Sequence, residues 1–242
     1  MDAWTPLPAG APRSARRRTG RVRRRCHRPR RGADADALLG TRAARRGRWI
    51  QITASHNPPK FNGFKLCIGT SAVYGNDIQR LLAIAREGRR VIGSNSVRAE
   101  QVIDRYIDDV VSRVGPLSRP MTVALDGANG VGAAPARRVL EAIGARVTCL
   151  SCTSDGTFPD HLPDPSVEAN LAALEENVRK GDVDIGLAVD GDADRVGVID
   201  ELGRMVWGDR VLVLLARDVL ARRPGATVIF DVKCSQALPD AI

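Results

Sequence analysis

Aromatic residues are scarce in this sequence, at 4% of 242 residues, which leaves few platforms for stacking nucleic-acid bases. No apolar run approaches the roughly 20 residues that a membrane-spanning helix requires. The N-terminus has no apolar core of the kind a secretory signal carries, so a cytoplasmic location is expected. Cysteine is equally unsupportive of an extracellular scaffold. Cys26, Cys67, Cys149, Cys152 and Cys234 are an odd number at irregular spacings, so reduced thiols are expected rather than a disulfide framework. Cys149-Leu150-Ser151-Cys152 does form a CxxC, but no second pair completes a zinc site. It closes an apolar, strand-like stretch and is read as two ordinary strand-end cysteines, with redox or metal chemistry as the alternative.

Lysine is missing altogether from residues 1–49, where 15 Arg stand against 3 acidic residues. The chain's net charge of +9 is therefore misleading: the first fifth carries +12 and the remainder −3. Arg16-Arg17-Arg18, Arg23-Arg24-Arg25 and Arg30-Arg31 are set among Pro, Gly and Ala with no period of 2 or 3.6, which predicts an unstructured segment. Such a composition also arises when a GC-rich gene is read out of frame. A nucleic-acid-binding arm is the competing reading, since Arg neutralises phosphates. The absence of Lys and the near absence of aromatics argue against it, and the acidic body gives nucleic acid no further surface.

From Ile50 onwards an ordered pattern begins. Ile50 to Ile52 and Phe64 to Ile68 are strand-like, flanking the polar turn Thr53 to Gly63. A helix is predicted from about Asp77 to Glu87, capped by Asn76, and another from about Ala99 to Val114. Thereafter strands alternate with helices: strand Val123–Leu125, the turn Asp126 to Gly130, helix Ala134–Ile143 and strand Arg146–Leu150. Then come a helix from Ser166 to about Lys180, strands Asp184–Val189 and Val196–Ile199, helix Asp209–Leu220, and a strand from Thr227 to Val232. This alternation predicts an α/β fold.

Two constellations carry chemistry. Asp190, Asp192 and Asp194 alternate through a Gly-containing turn, a spacing that lets three hard oxygen ligands converge on Mg²⁺. Glu201 occupies the twelfth position of a would-be calcium loop, but the apolar strand Val196–Ile199 stands where calcium ligands should be. The adjacent Arg195 suits a site that meets phosphate. The second constellation is Thr53-Ala54-Ser55-His56-Asn57-Pro58-Pro59 with Phe61-Asn62-Gly63-Phe64-Lys65 behind it. Taken alone it is no more than a polar turn, and without a GxSxG elbow it does not indicate a hydrolase triad.

Thr53 to Pro58 resembles the TASHNP signature of the α-D-phosphohexomutases, the phosphoglucomutase/phosphomannomutase superfamily, and Asn62 to Lys65 matches the family's residues just after that signature. Asp190 to Arg195 resembles that family's DGDxDR metal loop. Asp155 to Pro159, Pro163-Asp164-Pro165 and Asn170-Leu171 resemble the stretch before that loop in bacterial members. The likeness covers residues 50 to 242, with its two long motifs in the family's order.

The resemblance implies a mixed-sheet α/β protein that interconverts hexose 1-phosphate and 6-phosphate, an isomerase acting by intramolecular phosphoryl transfer. It implies that Ser55 is phosphorylated and donates the phosphoryl group. Mg²⁺ would be held by Asp190, Asp192, Asp194 and a phosphoserine oxygen on Ser55. Lys65 would assist proton transfer, His56 would orient the serine, and Arg195 would contact the phosphoryl region. The division it implies is a partial first domain at 50–118, a full second domain at 119–222 and the start of a third at 223–242. The family's sugar-recognition and phosphate-clamping loops belong to its third and fourth domains. No mutase turnover is therefore expected of residues 1–242 acting alone. A hexose phosphate is the expected substrate, while membrane and nucleic acid are not expected partners. The pattern implies no oligomeric state.

Overall fold

The computed structural model describes residues 25–29, 47–69, 71–89 and 96–242. The serine motif sits in a small antiparallel sheet. Its strands are β2 (Arg48–Thr53), β3 (Gly63–Ile68) and β4 (Ser71–Ala72), in the order β2-β3-β4, while β1 (Arg25–Pro29) lies in a separate sheet. The register pairs Gln51 with Lys65 and Thr53 with Gly63. Because side chains alternate across a strand, Gln51, Thr53 and Lys65 share one face. The other face carries Ile50, Ile52, Phe64 and Ile68 and is exposed. Helix α1 (Asn76–Arg86) comes next in the chain and buries none of its residues.

β1 pairs in parallel with β5 (Ser96–Glu100). This corrects the expectation that residues 1–49 are wholly unstructured. A ladder of backbone hydrogen bonds asks for no side-chain periodicity, so an Arg-rich segment can join one. Arg48 and Trp49, at the end of the same segment, belong to β2, while residues 1–24 and 30–46 lie outside the described residues. β5 also takes Ala99 and Glu100 from the helix predicted there, and α2 spans Ile103–Val114.

The larger unit is a five-stranded sheet. It is built from β6 (Met121–Asp126), helix α3 (Ala133–Ala142), β7 (Ala145–Leu150), helix α4 (Ala172–Lys180), β8 (Ile185–Val189), β9 (Val196–Ile199) and β10 (Met205–Val206). The strand order is β10-β9-β8-β6-β7, with β6, β7 and β8 parallel and β9 and β10 antiparallel to their neighbours. From β6 the chain steps outward through α3 to β7, then returns through α4 past β6 to β8. Right-handed crossovers in opposite directions place α3 and α4 on opposite faces of the sheet. They also open a crevice between the carboxyl ends of β6 and β8, where such sheets bind ligands.

The core joins α4 to the sheet. Leu171, Leu174 and Val178 pack with Ala124, Ala188 and Ile199, all buried. Each large aliphatic side chain there contributes about 1.5–3 kcal/mol by leaving water. The helix predicted from Ser166 is divided: a 3₁₀ turn at Glu168–Leu171 precedes α4. The division has its cause in Asp164, whose carboxylate accepts from both the backbone N–H (3.1 Å) and hydroxyl (2.7 Å) of Ser166, holding that residue in a turn.

Helix α5 (Gly208–Arg222) and the short helix α6 (Ala237–Ala241) complete the described elements. The strand expected over Thr227–Val232 does not form. Ile229 and Val232 are 89% and 96% exposed, and among the described residues no strand pairs with this segment to complete a ladder.

Candidate active site

Asp190 directly follows β8 and Asp126 ends β6, so two turns meet at the crevice. The loop after β8 is closed by Asp190 itself. Its Oδ1 accepts the backbone N–H of Asp194 (2.9 Å) and of Arg195 (3.2 Å), leaving Oδ2 to face outward. Asp190 and Asp192 are buried, 0% and 3% exposed, while Asp194 is exposed. One oxygen from each of the three carboxylates lies within 4.8 Å of the others.

The serine loop descends onto this loop from β2. Asn57 closes the turn, its backbone N–H (3.0 Å) and side-chain amide (2.9 Å) both donating to the Ala54 carbonyl. Ser55 holds φ at +51°, the left-handed region that costs an L-residue energy and is tolerated where the surroundings impose it. Its backbone N–H donates to Thr53 Oγ1 (2.8 Å), and the Thr53 hydroxyl donates to Asp192 Oδ2 (2.7 Å). Ser55 Oγ stands 3.2 Å from Asp190 Oδ2, from Asp192 Oδ1 and from His56 Nδ1. The single hydroxyl proton goes to a carboxylate, which leaves Oγ to accept from an Nδ1–H of His56. The loops meet backbone to backbone. A Cβ on Gly191 would come within 2.5 Å of the Ser55 carbonyl oxygen, so only glycine allows this approach.

Lys65 reaches the same group from β3, with Nζ 3.3 Å from Asp192 Oδ2 and 3.1 Å from Asp194 Oδ2. Three carboxylates and one ammonium leave two negative charges over, which fits a divalent cation. The strain of this arrangement shows at Asp190, whose carboxyl is pushed up to about 6. Burial contributes most, then the charge of Asp192 and, more weakly, that of Asp194. A cluster of carboxylate oxygens held in this way fits a hard divalent cation such as Mg²⁺, which takes oxygen ligands.

The sequence-predicted residues Ser55, His56, Lys65, Asp190, Asp192 and Asp194 thus converge. Arg195 joins through its backbone, while its guanidinium turns to Asp164 at 3.7 Å. Asp164 was not singled out from the sequence as a site residue. Burial would raise its carboxyl, but the two Ser166 hydrogen bonds and the charges of His56 and Arg195 hold it below the ordinary carboxylate range. Thr53 was likewise given no role, although its place two residues before Ser55 in the motif was the available signal. His161 was missed as well. Its Nε2 donates to the buried Asp126 (3.0 Å) and its Nδ1 to the Leu162 carbonyl (2.9 Å), which requires both nitrogens protonated. The hydrogen bond to Asp126 raises its pKa against the opposing effect of burial.

Cys149 and Cys152 are joined in a disulfide, whereas Cys67 and Cys234 are free. This corrects the expectation of reduced thiols at that pair. The turn after β7 brings residues i and i+3 close enough to bridge, a tertiary fact that spacing alone does not reveal.

Residues 104–203 match a family model described as phosphoglucomutase/phosphomannomutase, alpha/beta/alpha domain II. The chain is 45% identical over 194 residues to a phosphoglucomutase of Neisseria meningitidis serogroup B, covering 79% of this chain and 42% of that protein. It is 41% identical over 193 residues to a phosphomannomutase/phosphoglucomutase of Pseudomonas putida, covering 80% and 42%. Among solved structures, a phosphoglucomutase/phosphomannomutase family protein of Burkholderia thailandensis superposes with a TM-score of 0.76. That protein is 39% identical, over 80% of this chain and 42% of the other. The chain therefore spans about two-fifths of the length of the relatives it matches. Among the described residues no helix is long and apolar enough to cross a membrane.

Proposed function

Because the chain belongs to the α-D-phosphohexomutase superfamily, we propose that it carries the phosphoryl-transferring part of a cytoplasmic hexose-phosphate mutase. The observation that carries this reading is Ser55 Oγ, 3.2 Å from two buried carboxylates that lie 135 and 137 residues away in sequence. A neutral hydroxyl has no need of two buried anions. A phosphorylated one would sit there only with a cation between them.

In this reading Asp190, Asp192 and Asp194 hold Mg²⁺ together with an oxygen of phosphorylated Ser55. The bound ion supplies charge neutralisation to a phosphoryl group otherwise facing three carboxylates. Ser55 gives its phosphoryl group to a hydroxyl of a hexose phosphate: the bond from phosphorus to Oγ breaks and one to the sugar oxygen forms. The bisphosphate formed turns over and returns its other phosphoryl group to Ser55, so that hexose 1-phosphate and 6-phosphate interconvert. Lys65, placed against Asp192 and Asp194, exchanges the proton of Oγ as the phosphoryl group leaves and returns. His56 orients Oγ through Nδ1, Thr53 fixes both the Ser55 backbone and Asp192, and Arg195 meets the phosphoryl oxygens. Such transfer is mostly positioning and charge stabilisation; this arrangement would supply the phosphoryl donor and the charges around it. Residues 50–118 bring the serine and 119–222 the acidic loop, with a further unit opening at 223.

The test uses a small acyl phosphate as donor, which needs no sugar clamp. Incubation with Mg²⁺ should place one phosphoryl group on Ser55, read by peptide mass spectrometry, and none on the Ser55→Ala protein. Labelling elsewhere, or at Ser55 with equal efficiency in Asp192→Asn, would refute the reading.

A further inference from the structure

The CxxC pair stands at the carboxyl end of β7, in the same sheet as the β8 strand that leads into the acidic loop, with β6 between them. Cys149 is the penultimate residue of β7 and Cys152 stands just past the turn, with both half-buried. Between them Ser151 holds φ at +47°, a conformation that needs outside support in a residue bearing a Cβ. The segment that leaves this turn grips the Asp126–Gly130 turn. Gly127 N–H donates to the Leu150 carbonyl (3.0 Å) and Asn129 N–H to the Ser151 carbonyl (2.7 Å). The Asn129 amide donates to the Thr153 carbonyl (3.1 Å), the Ser154 hydroxyl to the Gly130 carbonyl (2.9 Å), and Asp155 N–H to the Asn129 carbonyl (2.9 Å).

The gripped turn in its own right supports the acidic loop. Val131 N–H donates to the Gly191 carbonyl (3.2 Å), and a Cβ on Gly130 would lie 2.9 Å from that same oxygen. Gly191 in turn abuts the Ser55 backbone. A continuous set of contacts therefore runs from the cysteine pair to the serine.

We propose that Cys149–Cys152 is a thiol–disulfide exchange site whose redox state sets how firmly the Asp190–Arg195 loop is held. The reactant is a dithiol. One of its thiolates attacks a sulfur of the pair, the Cys149–Cys152 bond breaks, and a mixed disulfide forms. Its second thiol then displaces the cysteine held in the mixed disulfide, so two electrons and two protons pass to the pair and the reactant leaves as a disulfide. A disulfide of the same class reverses the step. The reduced state has a partner ready, since Cys152 Sγ lies 3.8 Å from the Leu125 carbonyl, to which a thiol can donate. With the bridge open, Ser151 is released from its left-handed conformation and the grip on Asn129 loosens. Two discrete arrangements of one turn, biased by redox state, are what coupling between distant sites requires.

The effect on metal affinity rests on the Mg²⁺ site proposed for Asp190, Asp192 and Asp194, whereas the change in loop mobility does not. The full chain is compared as purified in oxidised form and after dithiothreitol treatment and removal of the reagent under argon. Alkylation first verifies that both cysteines have opened. Hydrogen exchange of the amides at 127–131 and 190–195 should then speed up about tenfold, as a local opening made easier would do. The Cys149→Ser, Cys152→Ser double variant should match reduced wild type with or without dithiothreitol. Calorimetry should find Mg²⁺ bound several-fold more weakly by the reduced protein. Unchanged exchange, a pair that resists the dithiol, or a response to dithiothreitol that survives in the double variant would overturn the proposal. Loosened amides with no Mg²⁺ binding in either state would uphold the exchange site and overturn the metal reading.

Discussion

Replacing Asp190 with Asn should make the metal-free protein more stable. Asp190 is fully buried, and its carboxyl is pushed from 3.8 to about 6, chiefly by burial and then by Asp192. Each pKa unit corresponds to 1.36 kcal/mol, so holding this group ionised in the folded state costs roughly 3 kcal/mol at neutral pH and above. The raised value sets the sign. The cost is complete above about pH 6, diminishes as the folded group takes up its proton, and is gone near about pH 4, where the unfolded carboxyl also titrates. An asparagine keeps the oxygen that accepts from Asp194 and Arg195 and removes the charge. Urea unfolding in EDTA should therefore give Asp190→Asn a gain of about 2–3 kcal/mol at about pH 8, shrinking through pH 6. Added Mg²⁺ should stabilise the wild type and leave the variant unmoved, because binding to the native state alone is what raises apparent stability. A variant less stable than wild type at about pH 8 without metal, or a difference that ignores pH, would refute this reasoning.

The same geometry leads to three further outcomes. Asp192→Asn should weaken Mg²⁺ binding about tenfold or more in calorimetry, and equal affinity would show that Asp192 is no ligand. Gly191→Ala should cost about 1–3 kcal/mol, because its Cβ would press within 2.5 Å of the Ser55 carbonyl oxygen; wild-type stability would mean the two loops do not meet. The raised pKa of His161 means that its bond to Asp126 contributes fully below about pH 6.5 and is lost as pH rises through the folded value. The stability gap between wild type and His161→Gln should therefore be widest at low pH and close on raising it, and a gap constant from about pH 6 to 9 would contradict this.

Some of this molecule was legible in its residues and some was not, for physical reasons. The three aspartates could be named because carboxylates at that spacing converge, whereas Ser55 sits in what reads locally as a plain polar turn and was named only through its likeness to the family's signature. The strands β6 to β9 were visible as apolar runs bounded by turn residues. Thr227–Val232 shows the same local pattern yet forms no strand, because pairing depends on a neighbour that the pattern does not contain. The reverse holds for Arg25–Pro29, which has no strand pattern and pairs with β5 nonetheless. Thr53, Asp164 and the Asp126–Gly130 turn act through close approaches between segments far apart in the chain. Nothing at the position of Gly191 announces that the Ser55 carbonyl will lie against it. The CxxC was visible, but whether its sulfurs could meet depended on the turn after β7.

The central claim is that a phosphoryl group on Ser55 and a divalent ion on Asp190, Asp192 and Asp194 occupy one site. Phosphorus NMR of the Ser55-phosphorylated chain, titrated with Mn²⁺ in place of Mg²⁺, tests it directly. A paramagnetic ion bound to a phosphoserine oxygen should broaden the resonance beyond detection at substoichiometric Mn²⁺, and Asp192→Asn should largely restore it. A resonance that stays sharp at saturating Mn²⁺, or broadens equally in Asp192→Asn, would contradict the account.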